Sequence, residues 1–152
     1  MKAPNFSLPD QNNNIHTLEQ YAGKWVIVYF YPKDATPGCT KEACSFRDGR
    51  EVLESTGAVV LGISKDSVAS HKKFADAHNL NFTLLSDTST ETIQAFGAWG
   101  KKKFMGREYM GIERNTYLIN PASEIVKEYK GVNPLTHVGE VLKDLAESIA
   151  KS

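Results

Sequence analysis

The sequence predicts an α/β fold with a mixed central sheet flanked by helices. Two observations support this prediction: short apolar runs alternate with helix-like segments, and a strand hairpin precedes a final amphipathic helix. The apolar runs are continuous rather than alternating, which is typical of strands that helices cover on both faces. The predicted order is β-α-β-α-β-α, then the hairpin, then the last helix, in one domain over residues 1–152.

The strands are predicted from runs of β-branched and aromatic residues. Residues 1–23 are polar and rich in turn signals, so we expect irregular structure or short extended pieces there. The clearest strand is the run WVIVYFY at residues 25–31, and residues 58–63 have the same character. Further strands are predicted at residues 82–85, 116–119 and 124–129, the last two as a hairpin.

Helices are predicted in the segments between these strands, at residues 40–54, 67–78 and 90–96. Ser67 is expected to cap the second helix, because a serine side chain accepts hydrogen bonds from the first turn. The stretch from Thr88 to Glu91 fits a capping box before the third helix. The lysine run at residues 101–103 is expected to be a solvated loop.

Two features set the ends of the first and last helices. Glycine inside a helix costs about 1 kcal/mol relative to alanine, so we expect the first helix to break at Gly49. Asn133 is expected to cap the last helix, with Pro134 in its first turn. The apolar face of the last helix is predicted at spacings of three or four residues: Leu135, Val138, Leu142, Leu145 and Ile149.

Composition excludes several classes of protein. Eighteen basic residues balance eighteen acidic ones, whereas a nucleic-acid-binding protein would carry a basic excess. No apolar run approaches the roughly 18 residues that suggest a membrane span. The first ten residues lack the apolar core of a secretory signal, so a cytoplasmic location is expected.

Neither a metal nor another cofactor is expected. Two cysteines are too few for a disulfide-rich scaffold or for a four-sulfur zinc site. His71 and His78 lie two turns apart on a predicted helix, about 10.5 Å along its axis, so they could not share one ion. His16 and His137 are far apart in the sequence.

Chemistry is expected just after the first buried strand, because ligands in such sheets bind beyond the carboxyl ends of the strands. Thr36 suits a helix cap and Pro37 the first helical position, which makes Cys39 the third residue of the helix. The unpaired N–H groups and the positive end of the helix dipole favour a thiolate there. Cys39 is therefore predicted to be a nucleophile.

A reactive thiolate alone does not explain fast catalysis, so a fixed hydroxyl and a fixed cation are expected beside the sulfur. Thr36 is the candidate hydroxyl. The residue pattern leaves the cation open among six side chains: Lys33, Lys41, Arg47, Arg50, Arg107 and Arg114.

Cys44 follows Cys39 by five residues. On an ideal helix this spacing separates the two Cα atoms by about 8–9 Å, whereas a disulfide needs about 7 Å or less. A disulfide would therefore require part of the helix to unwind, which would make the segment a redox switch. The alternative is that Cys44 is a small packing residue, since the spacing differs from the Cys-x-x-Cys motif of redox proteins.

The segment YFYPKDATPGCTKEACSFRD resembles the active-site segment of the peroxiredoxins, and more closely that of the peroxiredoxin Q (bacterioferritin comigratory protein) group. The pattern P-x-x-x-T-x-x-C is met by Pro32, Thr36 and Cys39. The stretches FSLPDQ, VVLGIS, LLSD, FGAWG and GIERNTYLI agree as well, so the resemblance spans nearly the whole chain.

The resemblance implies a thioredoxin-like fold and the reduction of hydroperoxides without metal or haem. It makes Cys39 the peroxidatic cysteine, which attacks the O–O bond. It implies that Thr36 hydrogen-bonds the peroxide and the thiolate, and that Pro32 shields and shapes the pocket.

The resemblance also assigns residues that the pattern left open. It identifies Arg114 as the active-site cation and Glu42 as a carboxylate partner of that arginine. It identifies Cys44 as the resolving cysteine, which condenses with the Cys39 sulfenic acid to a disulfide.

The implied reductant is thioredoxin or a similar dithiol protein, acting by thiol–disulfide exchange. A monomer is expected, because no C-terminal extension is evident. Two other functions stay open: a thiol–disulfide oxidoreductase that acts on proteins, and a binding or chaperone-like module switched by oxidation of the helix.

Overall fold

The computed structural model describes residues 2–134 and 136–151. Its strands, in chain order, are β1 (Ser7–Pro9), β2 (Ile15–Thr17), β3 (Val26–Phe30), β4 (Val59–Ser64), β5 (Thr83–Ser86), β6 (Trp99–Phe104), β7 (Arg107–Ile112), β8 (Thr116–Ile119) and β9 (Ile125–Tyr129). Its helices are α1 (Pro37–Asp48), α2 (Arg50–Thr56), α3 (Val68–His78), α4 (Glu91–Ala95) and α5 (His137–Ala150), with one 3-10 turn at Glu19–Tyr21.

Five of these strands form the central sheet, in the order β5-β4-β3-β8-β9. The first three are parallel to one another, whereas β8 runs antiparallel to β3 and β9 antiparallel to β8. Every residue of β3 is buried, as its continuous apolar sequence predicts for a central strand. The predicted α/β class with a mixed sheet is confirmed.

Alternate residues of β3 point to opposite faces of the sheet and so belong to two separate cores. Ile27 and Tyr29 pack with residues of α1, α2, α3 and α5. Val28 and Phe30 pack with α4 and with Phe6, Leu8 and Leu18 of the N-terminal segment. Strands β1 and β2 pair antiparallel, which confirms the short extended pieces predicted within residues 1–23.

Two predicted helix boundaries are confirmed. Helix α1 ends at Asp48, Gly49 is its C-cap, and α2 begins at the next residue. A Cβ at Gly49 would lie 2.6 Å from the Leu142 side chain of α5, so any larger residue there would require that leucine to move. The Ser67 hydroxyl caps α3 by accepting a hydrogen bond from the Ser70 N–H.

The predicted capping box before α4 is wrong. Thr90 is the N-cap, but its backbone is left-handed (φ +65°) and its side chain makes no capping bond. The buried Asp87 carboxylate accepts the Ile93 N–H at 2.8 Å instead. Asp87, three residues before the N-cap, therefore accepts a hydrogen bond from the first turn of α4.

The predicted start of the last helix is also wrong. Helix α5 begins at His137 with Thr136 as N-cap, and the Asn133 carbonyl accepts the N–H groups of Thr136 at 3.3 Å and of His137 at 3.1 Å. Val138 and Leu145 of the predicted apolar face are buried. Leu142 and Ile149 pack partly buried against the same core, and Leu135 lies outside the described residues.

The lysine run at 101–103 lies in a strand and not in a loop. Strand β6 pairs antiparallel with β7, and Met105 and Gly106 join them with positive φ angles of 50° and 78°. Such a two-residue turn is typical of tight hairpins. The ribbon stands outside the central sheet and exposes much of its surface, so the apolar pattern of a strand is missing from its sequence.

In the part of the chain that the structure describes, no helix combines the length and the apolar character needed to cross a bilayer.

Candidate active site

The N-terminus of α1 places Cys39 as predicted. Thr36 is the extended N-cap and Pro37 the first helical residue, so Cys39 is the third. The Thr36 hydroxyl does not cap the helix; it donates to the Lys33 carbonyl at 3.0 Å. Cys39 is only 1% exposed, so its sulfur is covered by the surrounding side chains.

The loop that leads into α1 is fixed by the buried carboxylate of Asp34. This carboxylate accepts hydrogen bonds from the Tyr31 hydroxyl (2.6 Å) and the Ser70 hydroxyl (2.8 Å), and lies 2.7 Å from His71 Nδ1. The Asp34 N–H donates to Asp66 at 2.8 Å. The loop is thereby fastened to α3 and to the end of β4.

This fastening holds the active-site loop in a strained conformation. Ala35 has a positive φ of 63°, a left-handed geometry that costs a non-glycine residue on the order of 1–2 kcal/mol. Pro32 is half-buried and follows the end of the central strand β3 by two residues. The bonds of Asp34 therefore stabilise the backbone between Pro32 and Thr36, on which the start of α1 depends.

Arg114 is the cation beside the sulfur. Its Nη2 donates to Cys39 Sγ at 3.1 Å, and its Nη1 lies 3.4 Å from Glu42 Oε1. The structure thus brings together three of the predicted site residues that are up to 75 residues apart in the chain. A guanidinium at this distance stabilises a thiolate and any negative charge that develops next to it.

Glu42 lies fully buried beneath the arginine, 0% exposed. Burial raises its pKa to about 7, and the charge of Arg114 offsets only part of this effect. No described residue donates a hydrogen bond to its second oxygen, Oε2. The carboxyl group therefore has one long contact with Arg114 and little else to stabilise a negative charge.

His137 completes the buried cluster, and sequence reasoning gave it no role. Its Nε2 lies 2.8 Å from the Thr116 hydroxyl and 3.7 Å from Glu42 Oε2. Burial lowers its pKa to about 4, so the imidazole is neutral near pH 7. Its Nδ1 has no hydrogen-bond partner among the described residues, and the same is true of the Tyr29 hydroxyl.

Gly38 is a second residue that sequence reasoning left without a role. A Cβ at this position would lie 2.9 Å from Arg114 Nη2 and 3.4 Å from the Pro134 ring. The guanidinium therefore reaches the sulfur over a backbone that has no side chain. The signal that could have revealed this close approach is a glycine in the first turn of a helix, where it disfavours the helix.

Lys102 of β6 also lies near the site. Burial lowers the pKa of Lys102, and repulsion from Arg114 lowers it further. The ribbon of β6 and β7 thus brings a second, weaker positive charge towards Cys39.

Cys44 lies on the same uninterrupted helix as Cys39, and both thiols are free. Cys44 is half-buried, whereas Cys39 is buried. On an intact helix the two sulfurs are too far apart to bond. The structure is therefore that of a reduced protein, and unwinding on oxidation stays a prediction.

The sequence matches known proteins along nearly its whole length. Residues 1–128 match the model of the AhpC/TSA family. Peroxiredoxin Bcp of Bacillus subtilis is 45% identical over 150 residues, which cover 99% of this chain and 96% of that protein. Peroxiredoxin Bcp of Escherichia coli is 44% identical over 145 residues, which cover 95% and 93%.

A solved structure agrees with the fold. The bacterioferritin comigratory protein of Xanthomonas campestris, studied as trapped intermediate and ligand complexes for its alkyl peroxide reduction activity, superposes with a TM-score of 0.90. It is 35% identical, and the match covers 94% of this chain and 91% of that one. The thioredoxin-like fold implied by the resemblance is confirmed.

Proposed function

This chain belongs to the AhpC/TSA family, and we propose that it is a thiol peroxidase of the peroxiredoxin Q type that acts through Cys39. The observation that carries the proposal is the 3.1 Å contact between Arg114 Nη2 and Cys39 Sγ. A buried sulfur with a fixed cation beside it suits attack on a small, polarised O–O bond. Its substrates are hydroperoxides, including alkyl hydroperoxides of the kind reduced by the Xanthomonas relative.

In the first step the Cys39 thiolate attacks the terminal peroxide oxygen. The S–O bond forms as the O–O bond breaks, the sulfur loses two electrons to become a sulfenic acid, and the alkoxide leaves as an alcohol after taking a proton. Arg114 stabilises the charge that moves from sulfur to oxygen. The Thr36 hydroxyl, which donates to Lys33, has lone pairs left to accept the peroxide O–H.

In the second step the Cys44 thiolate attacks the Cys39 sulfur. The disulfide forms, hydroxide leaves, and a proton converts it to water. The Cα atoms, about 8–9 Å apart on the helix, must approach, so part of α1 unwinds. The break at Gly49 leaves α2 outside the unwinding segment. A thioredoxin-type dithiol protein then returns both thiols by exchange.

The burial of Cys39 argues against a protein disulfide as substrate. At 1% exposure the sulfur cannot be reached by a disulfide on a folded partner, whereas a peroxide needs only a narrow opening. This observation favours the peroxidase over the oxidoreductase alternative.

Stopped-flow mixing of the reduced protein with hydrogen peroxide tests the proposal through tryptophan fluorescence. We expect a phase whose rate rises linearly with peroxide, at about 10⁴ M⁻¹s⁻¹ or faster. The phase should disappear in Cys39→Ser. In Cys44→Ser it should persist, while steady turnover with thioredoxin stops. A phase that survives in Cys39→Ser contradicts the assignment of the nucleophile.

A further inference from the structure

One positive charge serves two acidic groups beneath the active site. Arg114 lies 3.1 Å from Cys39 Sγ through one nitrogen and 3.4 Å from Glu42 Oε1 through the other. Both groups are buried, at 1% and 0% exposure. Water therefore cannot screen a second negative charge there.

The other groups that face Glu42 do not supply a cation. His137 of α5 is neutral near pH 7, since burial lowers its pKa to about 4. The Tyr29 hydroxyl of β3 is also neutral, because burial and the charge of Glu42 raise its pKa well above the ordinary value. Lys102 acts on Arg114 and Cys39 from the ribbon side. Among the described residues, Arg114 is the only cation in contact with the Glu42 carboxyl group.

Two buried anions beside one cation are costly, because each charge loses its hydration and only one is compensated. Resting on the proposed peroxidase activity, we propose that Glu42 is a positioning residue that holds a proton while Cys39 is a thiolate. It releases this proton when the sulfur is oxidised. Arg114 is then paired with one anion at each stage, first the thiolate and afterwards the Glu42 carboxylate.

The first step then balances within the site. Cys39 thiolate, peroxide ROOH and protonated Glu42 become Cys39 sulfenic acid, alcohol ROH and ionised Glu42. The sulfur loses two electrons, the O–O bond takes them, and the proton that the alkoxide needs is matched by the one that Glu42 gives up. Glu42 loses its proton to solvent and the alkoxide takes one from solvent, so the net exchange of protons with solvent is zero.

The pKa of Glu42 agrees with such a role. Burial raises it to about 7, so the carboxyl group is close to half protonated near neutral pH. Oxidation removes the thiolate and leaves the whole charge of Arg114 to Glu42, which lowers the pKa of Glu42. The direction of proton movement is therefore fixed by charge balance.

Proton counting during the first step tests the proposal. The protein carrying Cys44→Ser, which stops at the sulfenic acid, is mixed with hydrogen peroxide in weak buffer containing a pH indicator. Sulfenic acid is counted by trapping, and thiolate by its ultraviolet absorbance before mixing. The same measurement is made with Glu42→Gln added, and with Glu91→Gln added as an exposed control on α4.

At about pH 6.5 we expect the parent to take up well under one proton per sulfenic acid, and Glu42→Gln close to one. At about pH 8.5 the two should converge near one, since Glu42 is then ionised before the reaction. Glu91→Gln should behave as the parent at both values. Equal uptake by parent and Glu42→Gln at the lower pH, with equal thiolate before mixing, overturns the proposal.

Two further outcomes separate this proposal from the function on which it rests. Absence of sulfenic acid in the parent contradicts the peroxidase itself. If Glu42→Gln does not fold, the parent and Glu91→Gln still decide: uptake near one proton at both pH values, with thiolate present at both, overturns the inference. A rise in uptake across this range with constant thiolate supports it.

Discussion

Two buried pairs of an acid and a histidine lie on the side of the sheet that Tyr29 and Tyr31 face, and they are built in opposite ways. Asp34 and His71 are 2.7 Å apart, whereas Glu42 and His137 are 3.7 Å apart. One pair fixes the backbone of the active-site loop. The other pair lies next to Arg114 beneath the sulfur and lacks such hydrogen bonds.

In the first pair every polar atom has a partner. The Asp34 carboxylate accepts from Tyr31 and Ser70, and His71 lies between Asp34 Oδ2 and the Leu85 carbonyl, 3.0 Å from its Nε2. Burial acts to raise the pKa of Asp34, but the hydrogen bonds from these neighbours outweigh it, so the pKa is lowered. A fully satisfied network of this kind specifies one geometry.

In the second pair Glu42 Oε2 and His137 Nδ1 have no partner among the described residues. Burial is then the dominant effect, and it favours the neutral form of each group. The comparison shows that a carboxylate with several hydrogen bonds stays charged and holds a loop in place. A buried carboxylate with few hydrogen bonds is shifted towards its neutral form, as the proposed proton release requires.

The largest effect is expected from a substitution that disrupts the hydrogen-bonded pair of Asp34 and His71. We expect Asp34→Asn to lower the free energy of unfolding by about 3–5 kcal/mol. The amide keeps only one acceptor oxygen for His71 Nδ1 and the Tyr31 and Ser70 hydroxyls, and its NH2 group adds a donor to a site that already has three. Urea unfolding at neutral pH measures this change. Asp76→Asn removes an exposed acid that pairs with Lys72 on the same helix, and should cost less than about 1 kcal/mol. A similar small loss of stability in both variants would contradict the role of Asp34 in holding the active-site loop.

The next effect has the opposite sign and concerns Glu42. Its pKa is raised by folding from about 4.5 to about 7, so the folded state binds more protons and stability falls as pH rises through this window. Removing the ionisable group should therefore increase the stability of the folded protein at high pH. We expect Glu42→Gln to leave stability nearly unchanged at about pH 5 and to raise it by about 1–3 kcal/mol at about pH 8.

The difference between parent and Glu42→Gln in urea unfolding, measured across this pH range, checks the prediction. Other groups titrate in both proteins and cancel in the difference. A difference that does not depend on pH means that Glu42 is ionised throughout.

The smallest effect is expected from a substitution that tests the contact between Arg114 and the Cys39 sulfur. Gly38→Ala places a methyl group against Arg114 Nη2, so the guanidinium must shift away from Cys39. We expect a loss of about tenfold in the rate constant for peroxide, since one donor to the developing charge is misplaced. Stability should not fall, because alanine favours the helix by up to about 1 kcal/mol.

Gly139→Ala is the matched control, since its Cβ would meet no neighbouring atom within 4 Å and its residue lies in α5. This variant should oxidise at the parent rate. An unchanged rate in Gly38→Ala would show that the arginine accommodates the methyl group without leaving the sulfur.

Much of the fold was predictable because elements that are buried on both faces consist almost entirely of apolar residues. The run at β3 is apolar at every position, and all its residues are buried. The β6–β7 ribbon was missed because a strand outside the central sheet does not need an apolar face. The start of α5 was misplaced because Asn133 and Pro134 are suited to a turn as well as to a helix.

The start of the candidate site was likewise predictable, from residues next to one another. Thr36 and Pro37 place Cys39 in the first turn of α1 through local backbone preferences. Arg114 entered only through a family resemblance, since the residue pattern offered six cations without a choice. His137 and the bonds of Asp34 gave no such signal.

The buried central strands, the helix start and the position of the nucleophile follow from the sequence, because they depend on preferences that act over a few residues. Which charged side chains meet depends on the tertiary fold. Arg114 is 75 residues from Cys39 and 72 from Glu42, and β8 beside β3 brings them together. Electrostatic contacts act through space over a few ångströms, so a linear pattern does not record which of six cations lies beside the sulfur.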